Sequence, residues 1–393
     1  MTDPIVIVSA ARTPMGSFQG DFSSLSANDL GGFAIKAAVE RSGIAPDVVN
    51  EVLFGNCLMA GQGQAPARQA GFKGGLPISA GAVTLSKMCG SGMRAAMLAH
   101  DMLLSGSADV VVAGGMESMT NAPYLLQKAR GGYRIGHDRL LDHMMLDGLE
   151  DAYEAGRSMG TFGEDCAAKY GFTREQQDQF AITSVTRAQA ATKSGAFATE
   201  ITPVTVKGRA GDTVISTDEA PGRVKLDKIP TLKPAFKKDG TITAASSSSI
   251  SDGAAAMVMM RASTAARLGL KPLAKIVSHA VHAQEPNWFA TAPVGAVNKV
   301  LVKAGWRVGE VDLWEVNEAF AVVPMALMHD LSLSHDIVNV NGGACALGHP
   351  IGASGARIMV TLMYALQARG LKKGVATLCI GGGEGTAVAL EML

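Results

Sequence analysis

Three residues whose side chains can carry out nucleophilic and acid–base chemistry stand in glycine-rich segments of this chain. Cys89 lies in Lys-Met-Cys-Gly-Ser-Gly, Cys379 lies in Leu-Cys-Ile-Gly-Gly-Gly, and His349 lies in Gly-His-Pro. A thiolate is the best nucleophile among side chains, and a second thiol or an imidazole beside it can move protons. We therefore predict one site that contains two thiols and an imidazole.

The two cysteines stand in different local contexts. Cys89 precedes a predicted helix, whose unpaired N–H groups and dipole favour a thiolate, although a buried structural cysteine fits the same segment. Cys379 ends a predicted strand and enters a run of three glycines. Ligands bind at the carboxyl ends of strands in open α/β sheets, and free glycine N–H groups there can form an oxyanion hole. We expect Cys379 to lie at such a strand end.

His349 and Asn317 are the other candidates. His349 stands in a stretch too rich in glycine for an ordinary helix or strand, and Pro350 restricts its backbone. We interpret a histidine in that setting as positioned for chemistry. Asn317 follows the strand-like residues 311–316 and could present an amide to a substrate or a water, although asparagine is also frequent at strand ends.

Short apolar runs alternate with longer alanine-rich segments of helical period, a pattern typical of a parallel or mixed α/β sheet. The clearest predicted strands are residues 5–8, 110–113, 256–260 and 375–380. The clearest predicted helices are residues 30–42, 92–105, 174–194 and 354–369. Thr173 and Gln176 form a predicted capping box at the start of the third helix.

The chain also contains an internal repeat. Residues 90–115 and 352–383 each read as a glycine turn, an arginine-bearing helix, an apolar strand and a second glycine turn. This predicts two related halves packed together, with a chance recurrence of common α/β order as the alternative. Between them, residues 121–242 are richer in charge and indicate an inserted loop domain. It could cover a site and contact an anionic ligand, or serve only oligomer contacts.

Composition narrows the function classes. The 393 residues carry a formal net charge of zero, which argues against a nucleic-acid surface and favours small molecules and copies of the same chain as partners. Five dispersed cysteines do not suggest a disulfide framework, and no Cys-x-x-Cys or clustered His/Cys spacing suggests a metal site. The first ten residues lack a targeting pattern and no apolar run could span a bilayer, so we expect a cytoplasmic protein.

Together these residues resemble the thiolases over nearly the whole chain. The segments that carry the resemblance are Ser86-Lys-Met-Cys-Gly-Ser-Gly, Val111-Val-Ala-Gly-Gly-Met-Glu-Ser-Met, Ser251-Asp-Gly-Ala-Ala-Ala, Asn317-Glu-Ala-Phe, Gly348-His-Pro-Ile-Gly-Ala-Ser-Gly-Ala-Arg and Cys379-Ile-Gly-Gly-Gly. The resemblance implies two similar α/β halves in an α-β-α-β-α arrangement with an inserted loop domain. We assign residues 1–120 with 243–270 to the first half, 121–242 to the insert and 271–393 to the second half.

The resemblance also implies a reversible Claisen condensation. Cys89 would attack an acyl-CoA thioester while His349 takes its proton, and Cys379 would remove the α-proton of a second acetyl-CoA. His349, with a water held on Asn317, would stabilise the enolate. The backbone N–H groups of Cys89 and Gly381 would stabilise the tetrahedral intermediate. Coenzyme A thioesters are then substrates, and no separate cofactor is expected.

Further residues are carried over as contacts to the thioester and its coenzyme A. The matching positions are Leu149, Met159, Ala319 and Phe320 for the thioester pocket, Ser248 for the pantetheine arm and Arg223 for the nucleotide. Two departures stand out. Ser158 precedes Met159 where short-chain biosynthetic members often have a histidine, and Cys345 replaces a branched apolar residue. We interpret Cys345 as a small apolar side chain near the site.

The expected activity is the joining of two acetyl-CoA molecules to acetoacetyl-CoA, in a homodimer or homotetramer. The alternative is a degradative 3-ketoacyl-CoA thiolase that accepts a broader range of acyl chain lengths, and the presence of Ser158 in place of the histidine is consistent with it. A non-catalytic acyl-CoA carrier is disfavoured because binding coenzyme A requires neither thiol. A ketoacyl synthase shares the nucleophile but is disfavoured by the motifs around Cys379 and Asn317.

Overall fold

The computed structural model describes residues 3–209 and 211–393. Its strands are β1 (Ile5–Arg12), β2 (Gly16–Ser17), β3 (Glu51–Gly55), β4 (Gly81–Leu85), β5 (Val110–Ser118), β6 (Tyr124–Leu125), β7 (Leu141–Asp142), β8 (Val204–Val206), β9 (Thr213–Ile215), β10 (Ser251–Arg261), β11 (Ala274–Ala283), β12 (Leu313–Val316), β13 (Lys373–Ile380) and β14 (Glu384–Met392). Its helices are α1 (Ala27–Ser42), α2 (Pro66–Lys73), α3 (Ser91–Leu104), α4 (Met159–Tyr170), α5 (Arg174–Ser194), α6 (Ala262–Arg267), α7 (Ala292–Ala304), α8 (Val322–Leu331), α9 (Ala344–Leu347) and α10 (Ile351–Arg369).

The main sheet is built from two halves with the same pairing pattern. In the first half β1, β10 and β5 pair antiparallel in that order, and β3 and β4 continue the sheet in parallel. In the second half β11, β14 and β13 pair antiparallel, β12 continues in parallel, and a parallel bridge from Trp314 to Val338 stands where β4 stands in the first. The short pairing of β1 with β11 joins the halves. This pairing supports the two related halves that the internal repeat predicts.

Helices occupy both sides of this sheet. In the central layer, α3 from the first half and α10 from the second share one apolar core with strands of both halves. Helices α1 and α2 cover the outer side of the first half, and α7 and α8 cover the outer side of the second. Apolar side chains of β-strands that are buried on both faces hold these layers together, as expected for a sheet sandwiched between helices. The α/β fold class is therefore confirmed.

The predicted elements lie where expected, and most extend beyond the predicted bounds. Helix α5 has the predicted limits, and Thr173 and Gln176 form its capping box. One expectation was wrong: Gly114 and Gly115 do not form a turn, because β5 continues through both to Ser118. A side chain on Gly115 would collide with the carbonyl oxygen of Gly352 at the start of α10. Close approach of that helix, rather than a turn, is what requires glycine there.

The segment between β5 and β10 holds α4, α5 and two small antiparallel strand pairs, β6 with β7 and β8 with β9. A buried ion-pair cluster connects it to the sheet. The Arg12 guanidinium on β1 lies 2.6 Å from a carboxylate oxygen of Glu200 and 2.6 Å from one of Asp218. Because all three side chains are almost fully buried, removal of one partner would leave a charge uncompensated inside the protein.

Across residues 3–209 and 211–393, no helix has the length and apolar character needed to cross a membrane.

Candidate active site

The site lies where the first turns of α3 and α10 meet. Cys89 stands two residues before the start of α3, and His349 stands two residues before the start of α10. The helices cross at small residues: a side-chain carbon on Gly92 would lie 2.8 Å from the backbone nitrogen of Ala356. The crossing of these two helices therefore places a nucleophile from one half and an imidazole from the other in one cleft.

A tight turn presents Cys89. Met88 adopts a left-handed backbone conformation with φ of 46°, which is strained for a side chain of this kind. Ser91 stabilises the turn, because its hydroxyl donates to the Met88 carbonyl at 2.7 Å and accepts from the Lys87 N–H at 2.7 Å. The turn leaves the Cys89 sulfur on the wall of a cleft.

The protonation of Cys89 differs from the expectation. Burial raises the pKa of its thiol to about 11, although the backbone N–H groups of Gly381 and of Cys89 itself are directed at the sulfur and act in the opposite sense. The helix start was expected to favour a thiolate, but loss of water around the sulfur outweighs it. The same two N–H groups are the pair that the resemblance assigns to an oxyanion hole.

His349 is held by partners on both ring nitrogens. Nδ1 contacts the hydroxyl of Ser354, which donates its own proton to the Pro350 carbonyl at 2.9 Å and so accepts from Nδ1. That arrangement leaves Nε2 with a lone pair, 3.4 Å from the side-chain nitrogen of Asn317. Burial, and after it the charge of Arg357, lower the pKa of His349 to about 3. The imidazole is therefore neutral near pH 7 and can accept a proton at Nε2.

Cys379 lies behind the cleft. It is the second-last residue of β13 and is fully buried. Burial, followed by the proximity of Cys89, raises the pKa of its thiol well above the usual value. The chain then turns through Gly382 and Gly383, which have φ of 95° and 87° and confirm the glycine turn predicted after this strand.

The cleft gathers most of the predicted contacts. Eight predicted residues line it: Cys89, His349, Gly381, Ser248, Leu149, Met159, Ala319 and Phe320. Sequence reasoning did not single out Met88, Gly148, Phe289 and Ile351, which also line it. Phe289 in particular carries no sequence signal, since it stands in an irregular turn remote from every motif.

The aromatic side of the cleft is firmly packed. Phe320 meets Phe236 edge to face at 5.6 Å and Phe289 at 6.5 Å between ring centres. Phe289 and Phe320 are 3% and 8% exposed, so neither ring has free space around it. Such edge-to-face clusters stabilise one arrangement of rings. We therefore expect these rings to move little when a substrate with a longer acyl chain binds.

Three predicted residues lie outside the cleft wall. Asn317 and Cys379 stand behind it, in contact with His349 and close to Cys89 respectively. Arg223 is part of a separate surface depression and pairs with Glu219 at 2.6 Å, so its charge is already partly compensated. Its assignment to the coenzyme A nucleotide stays a prediction. Cys345 is buried in a small apolar cluster, as expected of a small apolar side chain.

Glu117 is a functional candidate that the sequence reasoning missed. This fully buried carboxylate at the end of β5 accepts from the Asn56 side chain at 2.6 Å and from the backbone N–H groups of Cys57, Leu58 and Gly352 at 2.9 to 3.1 Å. It thereby connects the loop after β3 to the start of α10. The sequence signal that could have identified it is its place in Gly-Gly-Met-Glu-Ser, one of the segments that carry the family resemblance, although no role was assigned to Glu117 there. Burial raises the pKa of Glu117 to about 7.

Comparison with known proteins agrees with the fold. The thiolase N-terminal domain matches residues 5–263, and the thiolase C-terminal domain matches residues 270–392. The chain therefore belongs to the thiolase family. It is 50% identical to the acetyl-CoA acetyltransferase of Chromobacterium violaceum over 98% of this chain and 99% of that protein, and 50% identical to that of Paracoccus denitrificans over 98% of each.

Solved structures give the same result. The crystal structure of the Bacillus anthracis acetyl-CoA acetyltransferase superimposes with a TM-score of 0.97 at 40% identity, and covers 100% of this chain and 99% of that one. The acetyl-CoA acetyltransferase from Syntrophomonas wolfei gives a TM-score of 0.96 at 43% identity, with both chains covered in full.

Proposed function

We propose that this chain is an acetyl-CoA C-acetyltransferase, which joins two acetyl-CoA molecules to acetoacetyl-CoA and coenzyme A and catalyses the reverse cleavage. The observation that carries the proposal is the cleft in which the Cys89 sulfur, His349 and the N–H of Gly381 meet beside a rigid aromatic wall. The names of the relatives, nearly the whole length of which the chain covers, support the same activity.

In the first half-reaction, the sulfur of Cys89 attacks the thioester carbonyl and its proton moves to Nε2 of His349. The raised thiol pKa and the lowered imidazole pKa mean that the free site carries no charge on either group. Charge separates only when a carbonyl oxygen is in place to carry the negative charge and to accept hydrogen bonds from the N–H groups of Cys89 and Gly381. Coenzyme A leaves as its sulfur takes the proton back, and an acetyl group remains on Cys89.

In the second half-reaction, Cys379 gives its thiol proton to Nε2 of His349 and, as the thiolate, removes a proton from the methyl group of a second acetyl-CoA. The resulting carbanion attacks the acetyl carbonyl on Cys89, and the bond between that carbonyl and the Cys89 sulfur breaks as the sulfur takes the proton that His349 holds. Because burial raises the pKa of Cys379, its thiolate is a strong base once formed. The developing enolate oxygen is stabilised at His349 together with a water on Asn317, whose side-chain oxygen is buried without a partner among the described residues.

The packing of the cleft favours short acyl groups. Met159 lies beside Gly381, since a side-chain carbon on that glycine would come within 3.3 Å of the Met159 sulfur. Phe320 and Phe289 also line the cleft and are almost fully buried. A longer acyl chain has to displace a buried ring or the methionine, and displacement of packed side chains costs typically 1–3 kcal/mol.

The test is a comparison of thiolysis rates on acetoacetyl-CoA and 3-ketooctanoyl-CoA, together with condensation of acetyl-CoA alone. We expect faster cleavage of acetoacetyl-CoA and measurable condensation. Faster cleavage of the longer ester would instead establish the degradative 3-ketoacyl-CoA thiolase, the second candidate that Ser158 at the cap of α4 keeps open. The Cys89→Ala variant serves as the blank for both assays.

We further propose that the protein assembles from copies of itself as a dimer or tetramer and acts in the cytoplasm. The support for assembly is β4, which ends the main sheet and leaves Val83 46% exposed on an unpaired edge. Light scattering coupled to size exclusion tests this. A monomer at micromolar concentration would contradict it.

A further inference from the structure

A second group of polar side chains lies away from the cleft, where α3 passes β11. His100 and Asp101 are on α3, and His279 is on β11. The imidazoles are largely buried, with side chains 13% and 14% exposed, whereas the Asp101 side chain is 53% exposed. None of the three has a part in the reaction above, and the sequence shows no metal-type spacing because Asp101 and His279 are 178 residues apart.

The three ligand-type atoms form a nearly equilateral triangle. Nε2 of His279 lies 3.2 Å from Nδ1 of His100 and 3.0 Å from Oδ1 of Asp101, and the remaining side, from His100 Nδ1 to Asp101 Oδ1, is 3.3 Å. A tetrahedral ion with bonds of about 2.0–2.1 Å separates its ligand atoms by roughly 3.3–3.4 Å. The triangle therefore has nearly the size of one face of a zinc coordination tetrahedron.

The chemistry of the atoms fits the same ion. Two imidazole nitrogens and one carboxylate oxygen are donors that zinc and similar divalent transition metals accept. A ligand imidazole must be neutral, and the largely buried positions of both histidines favour the uncharged form. The charge around the three atoms is small. Asp101 supplies one negative charge, and the positive charge of Lys303, whose ammonium donates to the His279 carbonyl at 3.0 Å, partly compensates it.

We propose that His100, Asp101 and His279 bind one divalent cation of the zinc class, with a fourth position open to water. The ion would join α3 of the first half to β11 of the second. His100 lies roughly 14 Å along the helix axis from Ser91. A metal there is remote from the Cys89 sulfur, so we expect it to stabilise the fold and to leave turnover unchanged. This proposal is independent of the proposed reaction.

Cobalt(II) titration of the chelator-treated full chain tests the site. Tetrahedral cobalt bound by nitrogen and oxygen gives visible ligand-field absorption, and binding by a thiolate adds sulfur-to-metal charge transfer in the near ultraviolet. We expect one equivalent of cobalt per chain, no charge-transfer band, and displacement by zinc. Zinc should also raise the melting temperature in a concentration-dependent way.

The decisive variant is His279→Gln, with His329→Gln as the matched control at an exposed histidine that pairs with a neighbouring aspartate. We expect His279→Gln to weaken cobalt binding at least tenfold and to abolish the zinc-induced rise in melting temperature, while acetoacetyl-CoA thiolysis shows that the variant is folded. Equal binding by wild type and His279→Gln would overturn the proposal. So would absorption dominated by thiolate charge transfer, or no tetrahedral cobalt absorption.

Discussion

The side-chain nitrogen of Asn317 lies 3.4 Å from Nε2 of His349, at the end of a chain of contacts that begins at the Pro350 carbonyl. Ser354 donates to that carbonyl and accepts from Nδ1 of the imidazole. The serine therefore sets the tautomer, and the asparagine meets the free lone pair. Two uncharged neighbours thus determine which nitrogen of His349 carries the proton and which carries the free lone pair, in a residue that we propose to move protons.

Replacement of Ser354 by alanine tests this arrangement. The change removes the acceptor for Nδ1–H, and a hydrogen bond of this kind contributes about 1–1.5 kcal/mol, so we expect kcat to fall about tenfold. Steady-state kinetics with acetoacetyl-CoA measures it. Ser105→Ala, at the exposed C-cap residue that follows α3, is the control. An unchanged kcat in Ser354→Ala would show that the tautomer is set elsewhere.

The raised pKa of Cys89 predicts a steep pH dependence of its alkylation. With a pKa of about 11, the thiolate fraction should rise close to tenfold per pH unit between about pH 7 and 9. Iodoacetamide labelling of the free enzyme, followed by peptide mass spectrometry at Cys89, measures the rate. A rate that levels off in this range would mean that the helix start, and not burial, controls the thiol.

Replacement of Cys89 and replacement of Cys379 should block different steps of the reaction. Cys379→Ser should still accept an acetyl group on Cys89, because acylation needs only the nucleophile, His349 and the oxyanion contacts. It should condense acetyl-CoA at least 100-fold more slowly, since a general base contributes about 10²–10⁴-fold. Intact-protein mass spectrometry detects the acetyl-enzyme. Absence of the acetyl-enzyme in Cys379→Ser, in a folded protein, would contradict the division of roles.

Glu117→Gln should lower the stability of the fold and slow turnover. Four N–H donors converge on this carboxylate, and an amide would set its own NH₂ against some of them. We expect the free energy of unfolding in urea to fall by about 2–4 kcal/mol at fixed protein concentration. Glu40→Gln, on the exposed surface of α1, should change it little. Equal stability of the two variants would mean that the four contacts are dispensable.

Met159→Ala should broaden chain-length preference. Truncation opens the cleft next to Gly381, and one extra methylene in an apolar pocket changes discrimination by 1–3 kcal/mol. We expect the ratio of kcat/KM for 3-ketohexanoyl-CoA over acetoacetyl-CoA to rise about tenfold. The reverse shift would place the acyl chain on another side of the cleft.

Much of the fold could be predicted from the sequence because the signals for helices and strands are local. Helix α5 begins at a capping box and ends at a glycine, and the strands are continuous apolar runs. The grouping of Cys89, His349 and Cys379 was predictable because a motif marks each of them. Positions that depend on the meeting of distant segments were not predictable. The places of Phe289 and Glu117 result from packing, and the thiol pKa of Cys89 depends on how much water the fold removes, which no local sequence pattern indicates.

The crossing of α3 and α10 at Gly92 makes the geometry of the site sensitive to residues that take no part in it. A methyl group there would press on the backbone of Ala356, which is held in the central layer, so the two helix starts would have to separate. The sulfur and the imidazole are borne by those two starts. The distance between them is therefore set by a backbone-to-backbone contact, and an alanine at position 92 would lengthen that distance although no reacting side chain is removed.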